Sequence, residues 1–283
     1  MSQVSYYPGC SLHATARDYQ ESIDGVAALL GLELKEVEDW NCCGASAAHS
    51  INHDLSLGLV ARNLHRAEAA GLDLVVPCAL CFHELKVGEK ALTKDGWSKA
   101  PQFPFEGKIK VWDLLTFLAQ EEWLDKLAAK VVKPLTDLKA VCYYGCQVAR
   151  PPALTGHPVP ENPMEMEKVA RACGVQVLDW SHKTDCCGAS HSIPRPDILH
   201  KLVGDLFDRA LEAGAEAIIV SCQMCQANLD MYQGEISQVR GREYNLPIIY
   251  FTELMGVAAG LKETGTWMGR HFVDPRPVVG VAS

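Results

Sequence analysis

Ten of the twelve cysteines form one pattern written twice. The first copy is Cys10, then Cys42-Cys43-Gly44, then Cys78-x-x-Cys81. The second is Cys146, then Cys186-Cys187-Gly188, then Cys222-x-x-Cys225. Both double cysteines continue as Cys-Cys-Gly-Ala-Ser, and both Cys42 to Cys186 and Cys78 to Cys222 span 144 residues. A duplicated set of five soft donors predicts two metal centres, with iron–sulfur chemistry first because thiolate suits iron through changes of redox state.

Bulk properties fit a folded redox protein. A chain of 283 residues, 48% hydrophobic, can build two ordinary domains or one large one. The net charge of −9 argues against a nucleic-acid partner, which would select a basic face. Met1–Cys10 lacks a basic region followed by an apolar run, and no apolar stretch is long enough to span a bilayer. The reading therefore expects no direct membrane span and a cytoplasmic, reducing setting, where cysteines serve as metal ligands or redox groups rather than disulfides.

The repeat extends beyond the cysteines. Tyr6-Tyr7-Pro8-Gly9-Cys10 is matched to Tyr143-Tyr144-Gly145-Cys146, and Asp39-Trp40 to Asp179-Trp180. Such a repeat, present only twice, predicts two pseudo-symmetric halves, 1–133 and 139–283, joined around Lys130–Lys139. In the first half, helices are expected over 14–30, stopped by Gly31, and over 54–70, stopped by Gly71. Strands are expected at Leu32–Val37, Leu72–Val76 and Lys108–Val111, with a helix at Asp113–Gln120. In the second half, helices are expected over 163–173 and 196–213, before Gly174 and Gly214, and over Thr252–Ala259. Its strands are expected at Ala140–Tyr144, Val175–Leu178, Ala217–Ser221 and Pro247–Tyr250. Lys94–Gly107 and Gly234–Asn245 read as loops after the CxxC helices, and Arg150–Pro163 as a loop without counterpart in the first half. Strands alternating with helices predict an α/β fold in which each half is a small, mostly parallel sheet flanked by helices. Ligands in such folds gather beyond the carboxyl ends of the strands, so the five cysteines of each half are expected at one sheet edge.

A lone CxxC is shared by zinc sites and dithiol motifs. An adjacent Cys-Cys is rarer, and a following glycine lets the backbone turn tightly beside a cluster. Five cysteines per half is one more than zinc or an ordinary cubane needs, which weighs against zinc in either half. Cys142 and Cys173 fall outside the repeat and read as structural.

The pattern Cys-x31-Cys-Cys-Gly-x33-Cys-x-x-Cys, with its copy, resembles the cysteine-rich CCG domain, and two such domains in one chain resemble the B-type component of heterodisulfide reductase. Tyr144–Pro152, Asn162–Glu167, Asp179-Trp180 with Lys183, and Tyr250–Gly256 strengthen the likeness. The resemblance implies two noncubane [4Fe–4S] clusters, one on Cys10, Cys42, Cys43, Cys78 and Cys81, the other on Cys146, Cys186, Cys187, Cys222 and Cys225. It implies a small disulfide or thiol substrate between the clusters, each taking one sulfur as the S–S bond is cleaved one electron at a time. It also implies two partners: a ferredoxin-like C-type iron–sulfur subunit, and an A-type subunit carrying flavin. The alternative is an electron relay without a substrate site, since CCG domains also occur in succinate, lactate and glycolate oxidoreductase complexes.

Other groups carry weaker expectations. His13, His49 and His191 stand near cysteines and read as proton donors or, in the plainer reading, as packed loop residues. Arg150 and Lys183 read as holders of an anionic substrate or as surface charge. Trp40 and Trp180 are expected to pack beside the double cysteines, and His65 and His83 to be surface or packing residues on helices.

Overall fold

Parallel strands need helical crossovers, and the chain supplies them in two equivalent rounds. A computed structural model describes residues 2–45 and 47–282; Ser46, within the first Cys-Cys-Gly-Ala-Ser, lies outside them. The first half runs β1 (Ser2–Tyr6), α1 (Arg17–Leu30), β2 (Leu32–Glu36), α2 (Ala47–Ile51), α3 (His53–Ala69), β3 (Leu74–Val76), α4 (Ala79–Thr93), β4 (Val111–Asp113), α5 (Leu114–Leu118) and α6 (Glu121–Ala128). The second runs β5 (Lys139–Tyr143), α7 (Pro152–Thr155), α8 (Glu165–Ala172), β6 (Gln176–Val177), α9 (Pro196–Glu212), β7 (Ala217–Val220), α10 (Gln223–Met231), α11 (Gln233–Arg240), β8 (Ile248–Tyr250), α12 (Phe251–Ala258), α13 (Thr264–Met268) and α14 (Arg276–Val279).

The strands form two sheets of identical order, β2-β1-β3-β4 and β6-β5-β7-β8, with every pairing parallel. The fold is α/β in two halves, as expected. Gly31 ends α1 in the left-handed region at φ 68°. β7 and β8 are buried along their whole length, as strands covered by helices on both faces must be.

Three segments depart from the sequence reading, one of them the single helical turn α7 inside the expected loop Arg150–Pro163. Lys108–Lys110 does not pair as strand. Glu68 takes the N–H groups of Glu106 and Lys108 at 2.8 and 2.7 Å, and pairing with β3 begins only at Val111. Gly234–Arg240 is helical, not loop, because α11 is held from outside itself. Gln233 bonds the backbone of Leu229 and Leu246, and Arg240 reaches Asp205 and Asp208 of α9 at 2.6 Å each. The helix ends at Gly241, in the left-handed conformation.

The halves share one apolar core across α1 and α12. Tyr19 and Tyr250 stack with ring centroids 4.1 Å apart. The Tyr19 hydroxyl donates to the Ser221 carbonyl at 2.9 Å, and Ser22 bonds Thr252 at 2.6 Å. Trp267 of α13 fills the space left by glycines on both helices: a Cβ on Gly25 or on Gly256 would lie 2.8 Å from its ring. Cys142 and Cys173 are wholly buried in this core, matching their structural reading.

His271 clasps the halves together. Its buried imidazole meets Glu253 of α12 at 3.0 Å and Asp18 of α1 at 3.6 Å. Asp230 beside it accepts the N–H groups of Phe272 and Val273. Burial opposes charge on His271, but Glu253, Asp230 and Asp18 outweigh it and push the pKa up to about 9. A raised folded pKa means that this stabilisation is fully present below about pH 6.5, the value for free histidine, and is lost as pH rises through about 9. In urea unfolding, stability is expected to fall across that window, and His271→Gln is expected to flatten the fall; an unchanged slope would remove His271 as its source.

Two five-thiol clusters as candidate metal centres

Each cysteine set sits at the carboxyl edge of its sheet because every ligand segment leaves a strand there. β1 and β5 run through Gly9 and Gly145 into Cys10 and Cys146, and β3 and β7 lead within two residues to Cys78 and Cys222. Cys78 and Cys222 are the N-cap residues of α4 and α10, so the CxxC pairs occupy the first turns of those helices. Unpaired N–H groups and the positive end of the helix dipole favour thiolate there. The Cys78 sulfur accepts the Cys81 N–H at 3.5 Å. The double cysteines reach the same edge from the loops after β2 and β6.

The sulfurs converge within each half. Cys43 and Cys81 lie 3.2 Å apart, and Cys187 and Cys225 lie 3.9 Å apart. Cys10 lies near enough to act on Cys42, and Cys146 near enough to act on Cys186. All twelve cysteines are free thiols. In each set the CxxC pair and the second of the adjacent cysteines are buried, while Cys10, Cys42 and Cys186 are exposed and Cys146 half-exposed. Each cluster therefore has a protein-bound side and an open side.

Glycine makes the convergence possible at two places per half. Gly44 and Gly188 adopt φ 81° and 72°, and their N–H groups donate to Cys42 and Cys186 at 3.5 and 3.3 Å. Gly9 and Gly145, at φ 72° and 66°, stand directly under the far cysteine of each CxxC. A Cβ on Gly9 would lie 3.0 Å from the Cys81 sulfur, and one on Gly145 2.9 Å from Cys225. Sequence reasoning misses these two residues, although a glycine before the first cysteine of both copies is their signal.

The tyrosines before them keep the register set by Cys10 and Cys146. Tyr7 donates to the Asn41 carbonyl at 2.7 Å, and Tyr143 to the Asp185 carbonyl at 2.6 Å, each just ahead of a double cysteine. Tyr7 and Tyr143 are thus the equivalent pair, each tying a strand end to its Cys-Cys turn; Pro8 takes the place of Tyr144. Burial, followed by the adjacent thiols, raises both phenol pKa values.

The thiols do not titrate alike. Hydrogen bonding from Cys146 lowers Cys186 to about 6 against burial, aided by the Gly188 N–H and His191. Cys222 is lowered to about 7 by the Cys225 thiol, with help from N–H groups that include Ala79 of the other half. Bonds from Cys81 and Cys225 likewise lower Cys43 and Cys187. Neighbouring thiols and burial push Cys81, Cys146 and Cys225 up instead, and burial raises Cys42; the five soft donors gathered in each half fit an iron–sulfur group.

Among the histidines, His191 acts electrostatically on a ligand, Cys186. His13 pairs with Glu36 at 3.3 Å and lies against Trp40, and His49 is exposed at the end of α2. His65 bonds the Pro104 carbonyl, and His83 is half-buried on α4 with its pKa lowered by that burial. Trp40 bonds Glu36 and packs edge-on against Tyr7, and Trp180 bonds the Cys142 carbonyl beside Tyr143. The two cations differ in their surroundings. Arg150 pairs with Glu161. Lys183 is buried, not on the surface: Glu167 holds it at 2.7 Å and Asn162 at 2.8 Å, with Tyr144 closing the network on Glu167.

Fold and site define a class: α/β proteins with one five-cysteine cluster at the sheet edge of each half. The chain belongs to the cysteine-rich domain family CCG, whose model matches residues 4–86 and 140–230. It is 29% identical over 278 residues to the 8-methylmenaquinol:fumarate reductase membrane anchor subunit of Wolinella succinogenes, covering 96% of this chain and 97% of that one. It is 24% identical over 271 residues to the B-type component of the ferredoxin:CoB-CoM heterodisulfide reductase of Methanosarcina mazei, covering 92% and 90%. These relatives bear out the resemblance to the heterodisulfide reductase B-type family and make the chain a cysteine-rich oxidoreductase subunit. The crystal structure of a hypothetical protein from Helicobacter pylori shares the fold, with a TM-score of 0.73 and 12% identity over 96% of this chain and 53% of that one. Among the described residues no helix is long and apolar enough to cross a membrane.

Gly145→Ala is expected to displace the Cys225 sulfur and abolish one iron–sulfur signal on anaerobic reconstitution, leaving the circular dichroism unchanged. Gly156→Ala is the control: φ is 74° there too, but a Cβ meets nothing within 4 Å. Equal signal loss in both variants would assign the effect to backbone strain alone.

Proposed function

We propose that this chain is the two-centre iron–sulfur subunit of a multi-subunit oxidoreductase, and that it relays single electrons from one partner to another. Cys10, Cys42, Cys43, Cys78 and Cys81 would hold one cluster, and Cys146, Cys186, Cys187, Cys222 and Cys225 the other, each noncubane as five ligands suggest. When bound, such clusters supply reversible one-electron transfer.

The observation that carries this reading is how the two sets meet. The Ala79 N–H, next to Cys78, lies near enough to Cys222 to favour its thiolate across the interface. The buried Tyr19 ring lies within electrostatic reach of both Cys78 and Cys222. Packed protein joins the sets there. One cavity between the halves, of about 310 Å3, is lined by Ser11, Ala14–Asp18, residues of α10, Tyr250, Arg270 and Phe272; it borders the Cys10 and Cys222 segments, and no cysteine sulfur lines it. A relay needs short, dry separation and an open side for partners, and the exposed Cys10, Cys42 and Cys186 supply the latter. The fumarate reductase relative agrees with this reading. Partners of the iron–sulfur and flavin-bearing kinds would supply the electrons.

A second reading is favoured by the pairing itself: two adjacent one-electron centres suit the two sulfurs of a disulfide, and several relatives are heterodisulfide reductase subunits. One experiment separates the two. The anaerobically reduced chain is mixed with small disulfides and its reoxidation followed. A relay shows no reoxidation above background; a reductase consumes two electrons and two protons for every two thiols released. In either case Cys43→Ser and Cys187→Ser are each expected to remove a different one of two EPR signals. Joint loss of both signals in either variant would contradict separate sites.

A further inference from the structure

The two thiol clusters are alike in their ligands but not in what stands behind them. One turn after Cys81, α4 carries Glu84, 9% exposed. Its carboxylate has one polar partner, the Ser56 hydroxyl at 3.4 Å, and no cation among the described residues. It lies close enough to weigh electrostatically on the Cys43 thiol, opposing its ionisation. The same position in the second half, three residues after Cys225, is Asn228. That side chain is neutral and donates to the Cys187 carbonyl at 2.8 Å.

The wall facing the double cysteine differs in the same sense. A Cβ on Gly44 would meet Ala48 at 2.9 Å, Leu59 at 3.1 Å and the Ser56 hydroxyl at 3.7 Å; one on Gly188 would meet the Leu202 side chain at 3.1 Å and the backbone Cα of Leu199 at 3.5 Å. Leu59 and Leu202 thus correspond, and so do Ser56 and Leu199. The first half keeps a hydroxyl and a buried carboxylate where the second keeps a leucine and an amide.

We infer that Glu84 makes the two centres electrochemically unequal, holding the first-half centre at the lower reduction potential. This rests on the proposed iron–sulfur reading. A buried negative charge disfavours an added electron, while hydrogen bonds and positive charge near sulfur favour it. An electron given by a partner's one-electron centre therefore resides on the second half. Passage from the first half to the second oxidises one centre and reduces the other by one electron, with no bond or proton change. Glu84 is a positioning residue for the electron, not a ligand.

The test is a potentiometric titration monitored by EPR on the anaerobic, iron-loaded full chain, with Cys43→Ser identifying the first-half signal. Glu84→Gln keeps the size and the hydrogen bond acceptor. It is expected to raise the midpoint of the first-half signal by at least the equivalent of a tenfold change in electron sharing, about 59 mV for one electron, leaving the second in place. An unmoved first-half midpoint, or equal movement of both, overturns the inference. If Glu84→Gln fails to load iron, Asn228→Asp decides: a lowered second-half midpoint supports the inference and an unchanged one overturns it. A wild-type chain that binds no iron would instead overturn the iron–sulfur reading itself, through metal content rather than potential.

Discussion

Five sulfurs can share one centre only where the backbone beside them leaves room, and this structure depends on that condition at Gly9 and Gly145. Each glycine carries the chain out of a central strand in a left-handed turn directly beneath the second CxxC sulfur. No residue with a Cβ fits there. Tyr7 and Tyr143 then tie the strand end to the Cys-Cys turn, and the helix N-termini of α4 and α10 present the CxxC thiols from the other side. Sheet, turn and helix thus aim at one point in each half, and the fold is the device that holds them there.

Duplication does more than provide two sites. α1 and α12 pack through the Tyr19–Tyr250 stack, Trp267 and the buried His271, so the halves behave as one body with a common core. That join sets the Ala79 N–H of the first half near Cys222 of the second. Against this near-symmetry, the Glu84–Asn228 difference stands out: the cysteine sets match and their surroundings do not.

Much of this is readable from the chain. The doubled spacing locates both clusters, and Gly31, Gly174 and Gly214 mark where helices stop because only glycine turns the chain there cheaply. What escapes reading depends on contacts between distant residues. α11 looks like a loop until Arg240 is seen reaching α9. Lys183 looks like a surface charge until Glu167, 16 residues away in the chain, closes over it. The role of Gly9 and Gly145 needs the distance to a sulfur that the sequence does not contain.

The central claim is that each set of five thiols holds one iron–sulfur cluster. Iron, sulfide and zinc analysis of the anaerobically purified chain tests it most directly. Two four-iron clusters predict about eight iron and about eight sulfide per chain, with no stoichiometric zinc. Zinc at one or two per chain without sulfide would contradict the account, leaving the doubled cysteines as structural metal sites.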